Sequence, residues 1–574
     1  IRLYMIEREL INLINKLNIY RKVAFEQDKD NRRAFIGNVT VENESYHMKI
    51  FFPDAFPIKL PEITIIDANK RFAHMGIDGK LCLLDESSIL IQSSMPDQIV
   101  IDCYDKAITN ISIDINSEYY AREVLREFNS YWIQNANLKI YSFLEELNSG
   151  YIEVPMYISR NIHVIASSVL NAKYYACNYL NVFDDDKAYD AKCLLISLRS
   201  NSRPICLKKD YKWSEIRKYI LKNVTGSVKR QFQHFLNCSV SGFMKYIVIS
   251  IPGECGNILF GFRIHFTNRK KEMVRKIITS KVDLVYVNRM DKTYMLQRSG
   301  IEKDISEKHV LLLGCGSVGG YIANNLCQMG VGSIDLLDND IFTKENVYRH
   351  FLGFDALRNP NKYKAELLKE RLEEIYPYAD IDSLDYTECS VENYLQKWER
   401  LENYDLIISA LGEPTLNLEI NRILYKEKIA TPFICCFNEP YGIGGHALAV
   451  NITHDTCLRC LYTDQISEDL VPFRASFVGK NQYFKKNISG CSGAFVPYSC
   501  LDSQQTAIMT ARLAVKILLG EVRQNKICSW KGNDMDLINA GFKTSDFYQS
   551  RKANGMLEEM AVPFAEHCPV CHNV

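Results

Sequence analysis

Residues 309–340 read HVLLLGCGSVGGYIANNLCQMGVGSIDLLDND, and no other stretch of the chain restricts the fold so tightly. Val310 to Leu313 is an apolar run of strand length. A Gly-rich turn follows, carrying Gly314, Gly316 and Gly319, then helical sequence, a glycine, and a second strand that ends in acids. That order predicts a βαβ unit opening on a nucleotide site. The glycines let backbone N–H groups approach phosphates, and the helix N-terminus adds a favourable dipole.

The acids are Asp338 and Asp340; Asn346 and Arg349 follow, and Lys362 lies thirteen residues beyond Arg349. A dinucleotide site needs one ribose-binding acid here and no array of cations. Two cations and an asparagine suit a site that neutralises a triphosphate and promotes departure of pyrophosphate. The pattern resembles the ATP site of ubiquitin-activating enzymes and their bacterial relatives, the ThiF-like adenylyltransferases. On that resemblance Gly314, Gly316, Gly319, Asp338, Asp340, Asn346, Arg349 and Lys362 hold ATP, with Arg349 and Lys362 acting on the developing charge. Arg298, in YMLQRSG, stands where the family carries an arginine that reaches a partner subunit's phosphates, which implies a homodimer through this domain. The family's Mg²⁺-binding Asp follows the next apolar strand. Here that strand leads into Ser409-Ala-Leu-Gly412-Glu413, with Gly412 at the Asp position and Glu413 the nearest carboxylate.

Cys457-Leu-Arg-Cys460 and Cys568-Pro-Val-Cys571 are two C-x-x-C pairs far apart in sequence. Each offers two thiolates, and together they complete a closed tetrahedral zinc site. ThiF-like enzymes often carry such a zinc. Cys491 lies in polar loop sequence, SGCSG, ahead of an amphipathic helix that begins near Ser503. Thioester-forming activating enzymes keep their nucleophile in such a crossover loop, and an exposed thiol near a helix start is richer in thiolate. Cys500, nearer the helix, is the competing candidate.

The first 150 residues open with a helix over about Met5 to Lys16. They continue with alternating stretches, AFIGNVTV and YHMKIFF, that predict an antiparallel meander. Pro53, Pro57 and Pro61 mark an extended segment. Then FAHMGIDGKLCLL places His74 eight residues before Cys82 and Gly79 three before it. This resembles ubiquitin-conjugating enzymes, in which H-P-N precedes G-x-I-C-L, and the resemblance makes Cys82 the second nucleophile. Met75 and Gly76 replace the Pro and Asn of H-P-N, so the family's oxyanion donor is missing and another group must serve.

The expected fold is therefore multidomain α/β and α+β. A conjugating-enzyme-like α+β domain spans 1–148, and an α/β or α+β module with no nameable motif spans 149–292. A Rossmann-like adenylation domain with structural zinc spans 293–574. Such a fusion resembles the ligase of type II CBASS antiphage operons, whose activated protein is the C-terminus of a cGAS-like nucleotidyltransferase. The resemblance implies adenylation with ATP and Mg²⁺, a thioester on Cys491, transfer to Cys82, and an amide to an amine on a target. Related fusions act on ubiquitin-like modifiers. Two other readings stay open: a sulfur-carrier adenylyltransferase that does not use Cys82, and a non-catalytic ATP-dependent scaffold.

Composition narrows the partners. Lys+Arg and Asp+Glu each number 69 in 574 residues, so no charge excess points to nucleic acid. No apolar run approaches the roughly 20 residues of a membrane-spanning helix. The start lacks a signal-peptide core. With 19 cysteines, six of them read as ligands or nucleophiles, a reducing cytoplasmic setting is expected.

Overall fold

The computed structural model describes residues 5–66, 72–76, 78–83, 89–145, 150–182, 188–199, 201–206, 210–237, 244–253, 256–267, 278–301, 305–384, 391–487, 494–551 and 557–572. The chain forms two compact units, Ile1–Met295 and Leu296–Val574.

The first unit begins with α1 (Glu7–Arg21), whose Leu10, Leu13, Ile14 and Leu17 recur at helical spacing and are buried. They cover an antiparallel sheet ordered β1 (Ala24–Gln27), β2 (Ala34–Val41), β3 (Glu44–Phe51), β4 (Glu62–Ile66) and β5 (Lys80–Leu81). In β2 buried and exposed residues alternate over its second half, as a one-sided sheet requires. The predicted meander is present. α2 (Pro96–Ile111) closes this core with Ile99, Val100, Cys103 and Ala107.

α3 (Glu118–Asn135), capped by the Ser117 hydroxyl, buries Phe128 and Trp132 elsewhere. Their rings lie 4.8 and 4.9 Å from that of Phe260, and the Trp132 indole donates to the Val285 carbonyl at 2.8 Å. Phe260 and Val285 belong to a closed barrel of β6 (Leu138–Ser142), β7 (Tyr151–Ser159), β8 (Ile162–Ile165), β9 (Tyr189–Ser197), β10 (Met244–Ile251), β11 (Ile258–Thr267) and β12 (Ile278–Arg289). The strands run β10-β11-β12-β6-β8-β7-β9, with β9 pairing back to β10. Alternate residues of β9, β10, β11 and β12 serve two cores. Val248, Val285 and Met156 fill the barrel, while Ile247, Phe260 and Leu284 pack outward against α3, α5 (Trp213–Asn223) and α6 (Gly226–Asn237). α4 (Val169–Tyr179) lies on β7 and β8. The barrel thus takes in β6, which the sequence placed with the first domain, and the packing of α3 ties that helix to the barrel as well.

In the second unit, β13 (His309–Leu313), β14 (Ser333–Leu337), β15 (Asp380–Ser383), β16 (Leu406–Ser409) and β17 (Phe433–Asn438) are parallel. β18 (Gly444–Val450), β21 (Lys526–Lys531) and β22 (Leu557–Ala561) extend the sheet antiparallel, in the order β15-β14-β13-β16-β17-β18-β21-β22. The continuous apolar runs of β13 and β16 reflect burial on both faces. α8 (Gly319–Gln328), α9 (Lys364–Ile375) and α12 (Cys500–Leu518) cover one face; α10 (Val391–Leu395) and α11 (Pro414–Lys426) cover the other. β19 (Lys486–Asn487) and β20 (Ala494–Phe495) form a small ribbon. No helix among the described residues is long and apolar enough to cross a membrane.

Candidate functional site

The turn from β13 into α8 explains two of its glycines. Gly314 has φ +89°, and a Cβ on Gly319 would stand 1.9 Å from the Gly314 carbonyl oxygen. Gly316 faces open space. Beyond the turn is a cleft of about 290 Å³ lined by Gly314, Gly316, Asp338, Asp340, Asn346 and Arg349, together with Ser317, His350, Lys364, Glu413 and Tyr498. The strand ends of a parallel sheet are where such a cleft belongs.

Asp338 is fixed from two sides. Its Oδ2 accepts the Cys315 N–H at 2.7 Å and its Oδ1 the Asp340 N–H at 2.8 Å. Burial raises its pKa, opposed by the nearby Lys364 ammonium and these hydrogen bonds. Asn346 accepts the Thr343 N–H at 2.9 Å, and the Arg349 guanidinium lies 5.5 Å from the Tyr498 ring centroid.

Lys362 does not line the cleft. Its ammonium pairs with Glu370 in the second turn of α9, and Lys364 takes the position facing the cleft. The Lys364 side chain is 10% exposed, with Nζ 2.7 Å from Asp340 Oδ2. Arg298 ends α7 (Lys292–Arg298), is exposed, and does not line the cleft. Gly412 has φ +69° with nothing near its Cβ position, and Glu413, the N-cap of α11, is the carboxylate on that side.

His350 was not singled out by sequence. Its Nε2–H donates to the Cys315 carbonyl at 2.5 Å, and its Nδ1 accepts the Leu352 N–H at 3.1 Å. The ring is buried beside Gly320, and burial pushes its pKa down to about 4. A neutral imidazole therefore ties the Gly-rich turn to the Asn346–Arg349 loop.

Cys457, Cys460, Cys568 and Cys571 converge. Their sulfurs lie within 4.8 Å of one another, with Cys457 to Cys568 at 3.6 Å and Cys460 to Cys571 at 3.5 Å. A tetrahedral ion with Zn–S bonds of about 2.3 Å needs sulfurs about 3.8 Å apart, so the four fit zinc. Cys491 lies outside the described residues. Cys500 is the first residue of α12, half-buried behind the Ser499 cap.

Cys82, in the first unit, is exposed. Its N–H donates to the His74 carbonyl at 2.6 Å, and its own carbonyl accepts from the buried Asn110 amide at 3.2 Å. His74 adopts φ +60° and places its ring against α3, with Nδ1 2.5 Å from Glu127 Oε1. The hydrogen bond to Glu127 raises the His74 pKa.

Two family models match: the ThiF family over residues 290–546 and prokaryotic E2 family B over residues 16–141. The ATP-dependent ubiquitin transferase-like protein Cap2 of Pseudomonas aeruginosa (strain BWHPSA011 / Pa011) is 27% identical over 45% of this chain and 46% of its own length. The Vibrio cholerae (serotype O1, El Tor Inaba N16961) protein of the same name is 24% identical over 69% of this chain and 71% of its own. The chain thus spans about half the length of the first relative. Among solved structures, Escherichia coli MccB with MccA-N7isoAsn is 17% identical over 49% of this chain and 70% of that one; its TM-score of 0.34 is too low to bear on the site. By these matches the chain is a bacterial fusion of an N-terminal E2-like segment with a C-terminal ThiF-like one.

Proposed function

We propose that the chain is an ATP-dependent protein ligase that activates the C-terminal carboxylate of a partner protein and conjugates it to an amine. The observation that carries this reading is one chain holding both an acid- and cation-lined cleft over a Gly-rich turn and an exposed thiol, Cys82, on an E2-family domain. The chain's similarity to ATP-dependent ubiquitin transferase-like proteins supports it.

In this reading ATP lies over the Gly314–Gly319 turn, with Asp338 on the ribose. Asn346, Arg349 and Lys364 face the phosphates, and Asp340 and Glu413 are the carboxylates available to Mg²⁺. The partner's carboxylate oxygen attacks the α-phosphorus and pyrophosphate leaves, its charge met by Arg349 and Lys364. The Cys491 thiolate then attacks the acyl-adenylate carbonyl and AMP leaves. Transthiolation carries the acyl group to Cys82, and an amine displaces the Cys82 thiolate to give the amide. Zinc at the four cysteines holds the second unit's C-terminal segment to the Cys457 turn. Arg298 acts in trans within a homodimer, consistent with its exposure away from its own cleft. The fusion architecture makes the preferred partner a cGAS-like nucleotidyltransferase of a type II CBASS operon, in the cytoplasm.

The test is a non-reducing gel assay with ATP·Mg²⁺ and the nucleotidyltransferase encoded beside this chain, comparing wild type with Cys82→Ala and Cys491→Ala. A thiol-sensitive adduct that persists in Cys82→Ala and is lost in Cys491→Ala, with amide product lost in each single variant, supports the relay. Adenylate without a thioester on either cysteine overturns it in favour of a sulfur-carrier adenylyltransferase.

A further inference from the structure

The missing oxyanion asparagine and the motif-less middle module both bear on one helix. Met75 and Leu81 form an antiparallel bridge, so one step outward His74 stands opposite Cys82, whose N–H donates to the His74 carbonyl at 2.6 Å. The groups packed on His74 come from α3. Glu127 Oε1 is 2.5 Å from Nδ1, and Glu123 Oε2 is 3.4 Å from Nε2. Tyr131 donates to the other Glu127 oxygen at 2.9 Å, and Arg126 pairs with Glu123 at 2.8 Å. The opposite side of α3 is locked to the barrel through Phe128, Trp132 and the Trp132–Val285 hydrogen bond. Glu127 and Tyr131, and likewise Phe128 and Trp132, are four apart, so one helix presents an acidic face to the thiol loop and an aromatic face to the barrel.

We propose that Glu127, delivered by the barrel-anchored α3, is a positioning residue that orients His74 as proton acceptor for the amine attacking the Cys82 thioester. This rests on the reading of Cys82 as an acyl carrier. With Nδ1–H bound to Glu127, the Nε2 lone pair is the one left for the acceptor. The amine nitrogen bonds to the thioester carbonyl carbon, its proton passes to Nε2, the C–S bond breaks, and Cys82 leaves as thiolate. Glu123 then faces the imidazolium formed. This is the nucleophile–base–carboxylate order in which the third group sets the base's tautomer. The barrel is in this view no spacer: it holds the carboxylate that prepares the conjugating site.

Charge around the ring decides the pH behaviour. Glu127 and Glu123 raise the His74 pKa, Lys106 of α2 opposes them, and Arg126 offsets Glu123. Discharge of the thioester therefore rises with pH through a midpoint above that of an ordinary histidine. Removing the Glu127 charge moves that midpoint to lower pH while slowing the reaction.

The experiment loads the full chain, carrying Cys491→Ala, from a fluorescent peptide α-thioester; a Cys82→Ala control defines the Cys82 adduct. Discharge to free lysine is followed on non-reducing gels across pH 6–9. Glu127→Gln and His74→Gln are expected to load as the parent does and discharge at least tenfold more slowly, with Glu127→Asp recovering part of the rate. The parent-to-Glu127→Gln rate ratio, which cancels the amine's own titration, must change with pH. Equal rates and a flat ratio, or loss of loading in a folded Glu127→Gln protein, overturn the proposal. If the parent discharges chemically loaded Cys82 but the wild-type chain, with Cys491 intact, never forms this thioester from ATP and the neighbouring nucleotidyltransferase, the functional reading alone falls.

Discussion

Lys364 Nζ lies 2.7 Å from Asp340 Oδ2 at the wall of the nucleotide cleft, while Lys362, two residues earlier, is tied to Glu370. The two lysines enter α9 from different sides: Lys364 is its first residue, and its N–H also meets the Asp340 carbonyl at 2.9 Å. Asp340 is largely exposed, so solvent screens this pairing at its carboxylate end.

Lys364→Ala is accordingly expected to reduce ATP–pyrophosphate exchange by on the order of 100-fold, as for the loss of one preorganised charge at a reacting phosphate. Lys362→Ala should change it by less than about threefold, since an exposed ion pair contributes under 1 kcal/mol. Exchange rates and nucleotide affinities of the two variants, measured side by side, decide which lysine serves the cleft; the reverse ranking would return the role to Lys362.

The Gly-rich turn sets a second contrast. A methyl group at Gly319 would meet the Gly314 carbonyl at 1.9 Å, backbone against backbone, whereas Gly316 has room. Gly319→Ala should destabilise the second unit by about 2 kcal/mol and abolish nucleotide binding, while Gly316→Ala leaves thermal stability unchanged. Differential scanning calorimetry with and without ATP separates the two.

These contrasts show what the sequence carried and where it stopped. The strand–turn–helix order was legible from the chain's own pattern, and Asp338, Asn346 and Arg349, which line the cleft, through the resemblance to ThiF-like adenylyltransferases. The four clustered cysteines were legible because C-x-x-C is a ligand geometry in itself. Counting forward reached Lys362, which pairs with Glu370 outside the cleft, two residues short of Lys364 at the start of α9. The start of the Lys-Ala-Glu-Leu-Leu helical pattern was the better signal for Lys364. His350 and Glu127 were invisible, since one acts through a carbonyl of a distant turn and the other across 53 residues of chain. The barrel was hidden for a related reason: β9 and β10 are apolar on both faces and serve two cores, so their runs read as buried strands without showing that the sheet closes.

Acid should find the second unit through His350. Its ring is buried with a pKa of about 4, against about 6.5 for an exposed histidine. Below pH 6.5 the unfolded chain takes up a proton that the folded one refuses, so this contribution is intact above 6.5 and lost as pH falls toward 4. The loss amounts to about 3 kcal/mol over that window. His350→Gln, which keeps one donor and one acceptor, should flatten this limb of the stability profile in chemical denaturation of the second unit. An unchanged slope would show that the proton is taken up elsewhere. In the first unit His163, likewise buried and near pKa 4, sets its own acid limb, which His350→Gln leaves in place.

The sulfur cluster makes the strongest stability claim. Cys457 and Cys460 sit in a turn packed into the second unit's core, while Cys568 and Cys571 lie beyond β22, at the end of the described chain. A metal joining them closes a loop of more than a hundred residues and replaces four crowded thiols with coordinated thiolates. The purified chain is expected to hold one zinc, measured by inductively coupled plasma mass spectrometry, and Cys568→Ser to hold none. Because structural zinc sites contribute folding energy directly, that variant should lose several kcal/mol and roughly 10 °C in the melting transition of the second unit. The first unit's transition should stay in place, as none of the four ligands lies there. A zinc-free wild type with the same melting temperature as the variant would mean that the four thiols pack without a metal, and the C-terminal segment would then be held by Val562 and Ala565 in the apolar core alone.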